Sequence, residues 1–207
     1  MPDKEIILVG YSGHAYVLVD TALENRYRIV GYCDQKKADN DPYKLKYLGS
    51  ETDDDFIGWK EEPAFIVGIG DNNVRQRIAK LIERKSRTVE TIIHETACVS
   101  KSAMLGNGCF VNKNVSINAL AVIGAHVILN TGCIIEHECI IGDAVHIAPG
   151  AVLAGNVRIG ERTFVGANAV IKQGVVIGKD VVIGAGTVVL TDIPDGSRIV
   201  GNPGRQI

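Results

Sequence analysis

The chain has 207 residues, 46% of them apolar, and a formal net charge of -2. That balance suits a soluble protein of two small domains or one large one, and it supplies no basic field to gather nucleic acid. No apolar run approaches the roughly 20 residues that a membrane helix needs, and Met1 to Glu5 leads straight into a strand pattern instead of a secretory leader, so a cytoplasmic location is expected.

Glu5 to Gly10 reads as a buried strand ending in a glycine turn. Tyr11-Ser12-Gly13-His14 follows, and then a helix from Ala15 to about Asn25. Ile29 to Cys33 gives a second strand, closed by Asp34-Gln35, and Ala38 to Tyr43 is a loop. Ala64 to Ile69 is a third strand, and Asn72 is a plausible N-cap for a helix through Val74, Ile78, Leu81 and Ile82. Val89 to Ile93 reads as a last strand. The alternation implies a short parallel sheet in a Rossmann-like domain over residues 1–93. Ligands of such sheets bind at the carboxyl ends of the strands. Those ends carry Ser12-Gly13-His14, Asp34-Gln35 and Gly70-Asp71-Asn72, and a helix starting behind Gly13 favours an anion such as a phosphate. A nucleotide-type ligand is expected there, with a simple structural turn as the alternative. A dinucleotide cofactor is not favoured, because Ser12 stands where the GxGxxG fingerprint has its middle glycine.

From Val99 to Val189 an aliphatic residue recurs at every sixth position, without a break. The next position is often glycine, as at Gly106, Gly124, Gly142, Gly160 and Gly178. Small or β-branched residues such as Ala103, Val127 and Thr163 fall four positions after the aliphatics. Six is not a helical period. Three short strands per coil of 18 residues explain it better, with aliphatics stacked inside as ladders. Fifteen complete hexapeptides then make five coils, roughly 24 Å tall at the inter-strand spacing. Cys109, Cys133 and Cys139 share one inward position in the repeat and read as small core residues. The pattern resembles the hexapeptide-repeat acyltransferases. That resemblance implies a left-handed parallel β-helix over residues 94–207, here with no protruding loop.

Acetyl transfer to an amine or hydroxyl needs a base, and histidine suits neutral pH. His94, in the linker, and His126, on an outer turn, read as solvated surface residues. His137 follows the inward Ile135 by two positions, which puts it near a coil turn and facing out. Ala119 and Gly155 lie one coil away on either side, and their small size leaves room for a ligand beside the imidazole. Glu138 or Glu136 can fix the tautomer of His137 and raise its basicity.

The string Asn130-Thr131, Ile135-Glu136-His137-Glu138, Ile141-Gly142, His146 and Ala154 to Gly160 resembles a narrower family. This is the bacillosamine and perosamine N-acetyltransferases, related to sialic-acid O-acetyltransferases. The Gly-x-Ser-Gly-His turn, the Gly68 to Gly70 segment and the tail Val200 to Arg205 match as well, so the resemblance spans essentially the whole chain. It implies an acetyl-CoA-dependent acetyltransferase acting on a nucleotide-linked amino sugar for surface glycan assembly, without a metal. His137 would be the general base, with Glu138 as its partner. His146 would contact acetyl-CoA near the thioester, Ala167 and Ala185 would line the CoA groove, and Arg205 could pair with a CoA phosphate. Ser12, Gly13, His14, Asp34, Gln35, Gly70 and Asn130 would hold the sugar nucleotide. Some members that use UDP-sugars carry two acidic residues where this chain has Asp34-Gln35. The family is trimeric, with active sites shared between subunits, so a homotrimer is expected. Pro203 and Gly204 suit a tail that leaves the β-helix near Ile193-Pro194. Two readings compete with N-acetylation: O-acetylation of a sugar hydroxyl, and a non-catalytic scaffold that binds sugar nucleotides. A γ-carbonic anhydrase, also a left-handed β-helix, needs three zinc-binding histidines; the spacings of His126, His137 and His146 do not fit that arrangement, and it has no use for a nucleotide-type domain.

Overall fold

A computed structural model describes residues 4–60 and 63–207; Met1 to Asp3, read above as leading directly into the first strand, lie outside the described residues. The chain divides into two compact units, Met1–Ile92 and Ile93–Ile207.

The first unit runs β1 (Glu5–Val9), α1 (Gly13–Glu24), β2 (Arg28–Cys33), β3 (Ala64–Val67) and α2 (Asn72–Arg84). The strands pair in parallel in the order β2-β1-β3. The middle strand β1 is a continuous apolar run, as expected of a parallel strand covered on both faces. Its Ile7 and Val9 pack with Phe65 and Val67 of β3 and with Ile78, Ala79 and Ile82 of α2. Each large aliphatic buried in this way contributes about 1.5–3 kcal/mol. The loop after β2 is strapped down by tyrosines. The Tyr11 hydroxyl donates to Asp41 at 2.8 Å and accepts from the Tyr43 amide at 3.1 Å, while the Tyr43 hydroxyl donates to Asp20 at 2.6 Å. Burial, and then Asp41, push the Tyr11 phenol up to about 12, so it remains a donor at neutral pH.

Two expectations shift here. Asp71, not Asn72, caps α2, its carboxylate accepting from the Val74 amide at 2.9 Å. Val89 to Ile93 is not a fourth strand of the parallel sheet, since Val89 makes a single bridge to Phe65 and Ile92–Ile93 starts a β-helix ladder. A segment this short, interrupted by Glu90 and Thr91, does not reveal from its pattern which sheet it will join.

The second unit is a parallel β-solenoid of two- and three-residue strands. The first face stacks strands from Ile92–Ile93 through Ile128–Leu129, His146–Ile147 and Phe164–Val165 to Arg198–Val200. The second face runs from Cys98–Val99 through Ile134–Ile135 and Val152–Leu153 to Val188–Val189, and the third from Met104–Leu105 to Val176–Ile177. Residues 18 apart pair in register through most of the solenoid, for example Ile128 with His146 and His146 with Phe164, and the offset shortens to 16 in the last coil, where Val182 pairs with Arg198. In the two-residue strands from Cys98–Val99 to Val188–Val189 the second residue joins the core, and Val111, Leu129, Ile147, Val165 and Ile183 form one such buried ladder. Cys109, Cys133 and Cys139 join this core. Burial pushes the Cys133 thiol up to about 12 and raises that of Cys139, which makes neither a nucleophile at neutral pH.

Each corner turns on a residue with positive φ, recurring every six positions from Gly108 to Gly186. Glycine, asparagine and aspartate fill most of these places, because the left-handed conformation costs other residues roughly 1–2 kcal/mol. The stacked glycines have a different cause. A Cβ on Gly142 or Gly160 would meet the backbone of the next coil at 2.7 or 2.5 Å, so this corner closes only without side chains.

The solenoid is longer than the fifteen hexapeptides counted in the sequence. About six coils stack, because Ile92–Ile93 adds to one end and Arg198–Val200 to the other. The chain therefore does not leave the β-helix near Ile193-Pro194. Ile193 still bridges Ile177, and Arg198–Val200 still pairs in parallel with Val182–Ile183. Only then does Arg205–Gln206 fold back antiparallel on Ile199 and Val200. Irregular spacing after Val189 hid this last coil from the six-residue count.

Candidate active site

His137 and Glu138 occupy the two turn positions of the edge between the second and third faces. The His137 Nδ1 lies 3.1 Å from Glu138 Oε2, and the two side chains are 50% and 58% exposed. Glu138 holds this position with φ of 60°, a left-handed conformation that a glutamate adopts only at a cost. A carboxylate at Nδ1 keeps the proton there and leaves Nε2 bare to accept one. The neighbouring coil does not leave open room for a ligand on the Gly155 side, as the sequence had suggested. The imidazole itself fills that room, since a Cβ on Gly155 would sit 2.5 Å from both Cε1 and Nε2 of His137.

His146 lies elsewhere, on the outer side of the first face, and is only 8% exposed. The Phe164 ring meets it edge-on, with centroids 5.1 Å apart. Asn130 Oδ1 accepts from the Asn112 amide at 3.0 Å and from the Thr131 backbone N–H at 2.8 Å, which turns the Asn130 amide nitrogen toward His146 Nε2, 3.4 Å away. With the ring proton on Nδ1, Nε2 can accept from the Asn130 amide. Asn130 therefore sits with His146, away from His137, on the edge between the first and second faces. Thr131, Ala167 and Ala185 occupy turn positions of that same edge, with the Gly186 amide donating to the Ala167 carbonyl at 2.8 Å. Within one chain, the base candidate and the CoA-lining candidates thus occupy two different edges of the prism. Arg205 is exposed on the folded-back tail, opposite Val200.

His94 and His126 are buried, at 5% and 4% exposure, and are not the solvated residues expected from sequence. His94 Nδ1 accepts from the Thr96 amide at 3.0 Å. Nothing in the linear pattern signals this, because a turn histidine reads the same whether packed or solvated. His126 lies on the edge between the third and first faces, so within one chain His126, His137 and His146 do not converge on a single metal. Among the described residues, no group of three metal-ligating side chains is gathered.

In the first unit, a cavity of about 530 Å³ opens at the carboxyl ends of β1, β2 and β3. Ser12, Asp34, Gln35 and Gly70 line it. Gly13 and His14 do not, although Gly13 begins α1 with open space beside it. Asp34 is internally engaged, its two oxygens accepting from the Tyr11 amide at 3.1 Å and the Gln35 amide at 2.7 Å. Among the polar wall residues, sequence reasoning missed Glu51, Thr52, Arg77 and Arg84. Arg77 and Arg84 were detectable in principle, being seven apart on the α2 face that also carries Leu81. The buried Arg75 braces the turn behind, donating to the Ile69 and Gly70 carbonyls at 3.1 and 3.0 Å.

His14 has a role in stability. Burial, and then Arg75, push its pKa down to about 4. The unfolded chain takes up that proton near pH 6.5, so acid favours unfolding between the two values. The first unit should lose up to about 3 kcal/mol as pH falls from about 6.5 to about 4, with its full stability present above that window. Thermal melts across this range should show a shallower pH slope in His14→Gln; an equal slope would place the acid sensitivity on other groups.

Residues 5–82 match the PglD N-terminal domain family, residues 120–155 the bacterial transferase hexapeptide family (six repeats), and residues 156–191 the hexapeptide repeat of succinyl-transferase. Comparison with curated proteins gives no match. Among solved structures, PerB from Caulobacter crescentus, in complex with CoA and GDP-perosamine, is 33% identical over 98% of this chain and 97% of that one, with a TM-score of 0.92. A histidine-to-asparagine variant of perosamine N-acetyltransferase from Caulobacter crescentus, in complex with the same two molecules, is 31% identical over 98% and 96% of the two chains, also with a TM-score of 0.92. The acetyltransferase domain of PglB from Neisseria gonorrhoeae FA1090, in complex with acetyl coenzyme A, is 29% identical over 99% of this chain and all 100% of that one, with a TM-score of 0.90. With a PglD-type α/β unit, an unbroken hexapeptide solenoid and end-to-end similarity to these enzymes, the chain belongs to the hexapeptide-repeat acetyltransferases that carry a PglD N-terminal domain.

Proposed function

We propose that the protein transfers the acetyl group of acetyl-CoA to the 4-amino group of a nucleotide-linked amino-deoxy sugar. The observation that carries this reading is the pairing of an exposed His137–Glu138 dyad on a hexapeptide solenoid with a nucleotide-sized cavity on a PglD-type unit. The similar Caulobacter enzyme holds CoA and GDP-perosamine together, which supports both co-substrates. The sugar amine attacks the acetyl carbonyl carbon and the C–S bond breaks. His137 Nε2 takes the amine proton, Glu138 steadies the resulting imidazolium, and the proton passes to the departing CoA thiolate. Positioning of the two substrates supplies much of the rate, on the order of 7–11 kcal/mol at best.

The test is release of CoA thiol from acetyl-CoA with UDP-, GDP- and dTDP-linked 4-amino sugars, and with a sialic acid as control. Turnover on one amino sugar supports the reading. Turnover on the sialic acid alone moves the chain to O-acetylation, and silence on the whole panel counts against both.

His137 and the groove candidates Ala167 and Ala185 lie on separate edges, so a site using all of them needs a neighbouring copy. The reading therefore includes a homotrimer, with CoA lying between adjacent solenoids. His146 then belongs to the CoA side, and Arg205 reaches a CoA phosphate. Sedimentation at micromolar concentration should give a trimer, and a fully active monomer would contradict the shared site.

A further inference from the structure

The wall of the cavity at the strand ends carries a buried acid, Glu51, that the proposed chemistry does not use. Glu51 lines the cavity and is 5% exposed, and its Oε2 is buried without a hydrogen-bond partner among the described residues. Leaving such an atom unpaired is costly relative to an apolar replacement, so an unpaired one beside a cavity calls for an explanation. Burial, the largest influence on it, raises the Glu51 pKa, and the neighbouring Asp34 and Asp53 raise it further. Its other interactions are with its own backbone N–H and the Cys33 thiol.

Asp34 is the residue at the end of β2 that would ordinarily meet a nucleotide, but both of its oxygens already hold backbone N–H groups. Glu51 is then the buried carboxyl on the wall with an oxygen that takes no hydrogen bond among the described residues. The remaining surroundings suit a flat base: Val74, Ile78 and Leu81 of α2 give an apolar side, and Arg77 and Arg84 bring guanidinium donors. A base complementary to one acceptor and adjacent donors presents a ring N–H beside a carbonyl. Uracil and guanine both have that lactam edge, and adenine does not.

We infer that Glu51 is the specificity-determining residue of this cavity, accepting a hydrogen bond from the ring N–H of a lactam nucleobase. The last torsion of a glutamate is broad and nearly two-fold, so either oxygen can turn to the base. This inference rests on the nucleotide reading of the cavity.

The experiment is calorimetric binding of UDP, GDP and ADP, and of UDP and GDP methylated at the ring N–H, to the whole protein and to Glu51→Leu. Wild type should bind UDP or GDP about tenfold or more tightly than its methylated form and than ADP. In Glu51→Leu, parent and methylated forms should bind alike, and the variant should melt no lower than wild type because an unpaired buried carboxyl is gone. Glu51→Gln, which keeps the volume and an acceptor oxygen, controls for packing and should keep most of the gap. Equal binding of parent and methylated nucleotides to wild type would overturn the inference. So would a gap that survives in Glu51→Leu, which would make it a steric effect of the methyl group. If neither UDP nor GDP binds wild type, the nucleotide reading of the cavity fails, and the assignment of Glu51 with it.

Discussion

Replacing His137 with alanine should lower kcat by about 10²–10⁴, the usual value of a general base, and leave the KM for acetyl-CoA close to that of wild type. The fold should not notice the change. The His137 side chain is 50% exposed, and the solenoid beneath it is held by backbone bonds such as Asn156 N to His137 O at 2.8 Å. Melting temperature and kcat therefore separate a catalytic role from a structural one. Glu138→Gln should cost less, because an amide can still hold Nδ1 but cannot balance the charge of an imidazolium. A His137→Ala enzyme with unchanged kcat would mean that the base lies elsewhere, and the scaffold reading would return.

The solenoid was legible because its cause is local and repeats. Every hexapeptide must supply one inward aliphatic, one tight corner and one small inward residue, so sixteen aliphatic positions from Val99 to Val189 carry the same message. Where that message fades the count fails, and the last coil around Ile193 and Arg198–Val200 became visible only through its pairing. The His137–Glu138 pair was legible for the same reason. Position within a known repeat fixes which way a side chain points, which composition alone cannot do.

The α/β unit gave up less. Its strands and helices were placed to within a few residues, yet the cavity wall was only partly foreseen. Ser12, Asp34, Gln35 and Gly70 follow from the rule that ligands meet strand ends. Glu51 and Thr52 lie in the long connection between β2 and β3, where no periodicity tells which residues turn inward. His14 was read as a ligand contact, but the structure packs it near Arg75 and off the cavity wall. Tertiary contacts decide such cases, and a linear pattern does not encode them. The burial of His94, His126 and His146 is of the same kind.

Gly155→Ala should reduce kcat by about 100-fold while leaving stability equal or slightly higher, although it removes no functional group. The new Cβ would lie 2.5 Å from both Cε1 and Nε2 of His137, closer than atoms can approach. One of the two must move. Gly155 is fixed by the ladder, its carbonyl accepting from the Gly174 amide at 3.0 Å, and its φ is not left-handed, so alanine fits the backbone without strain. The imidazole is the free end of an exposed side chain, so it is the part that yields. It swings off the coil by about the ångström that suffices to spoil proton transfer. Losing a glycine also removes freedom from the unfolded chain, worth about 0.4–1 kcal/mol in favour of the fold. Combined with His137→Ala, the substitution should have no further effect on kcat, because its whole influence passes through that ring. A Gly155→Ala enzyme with full kcat would show that the imidazole works from another rotamer, and the dyad geometry at Nδ1 would then not be the reactive one.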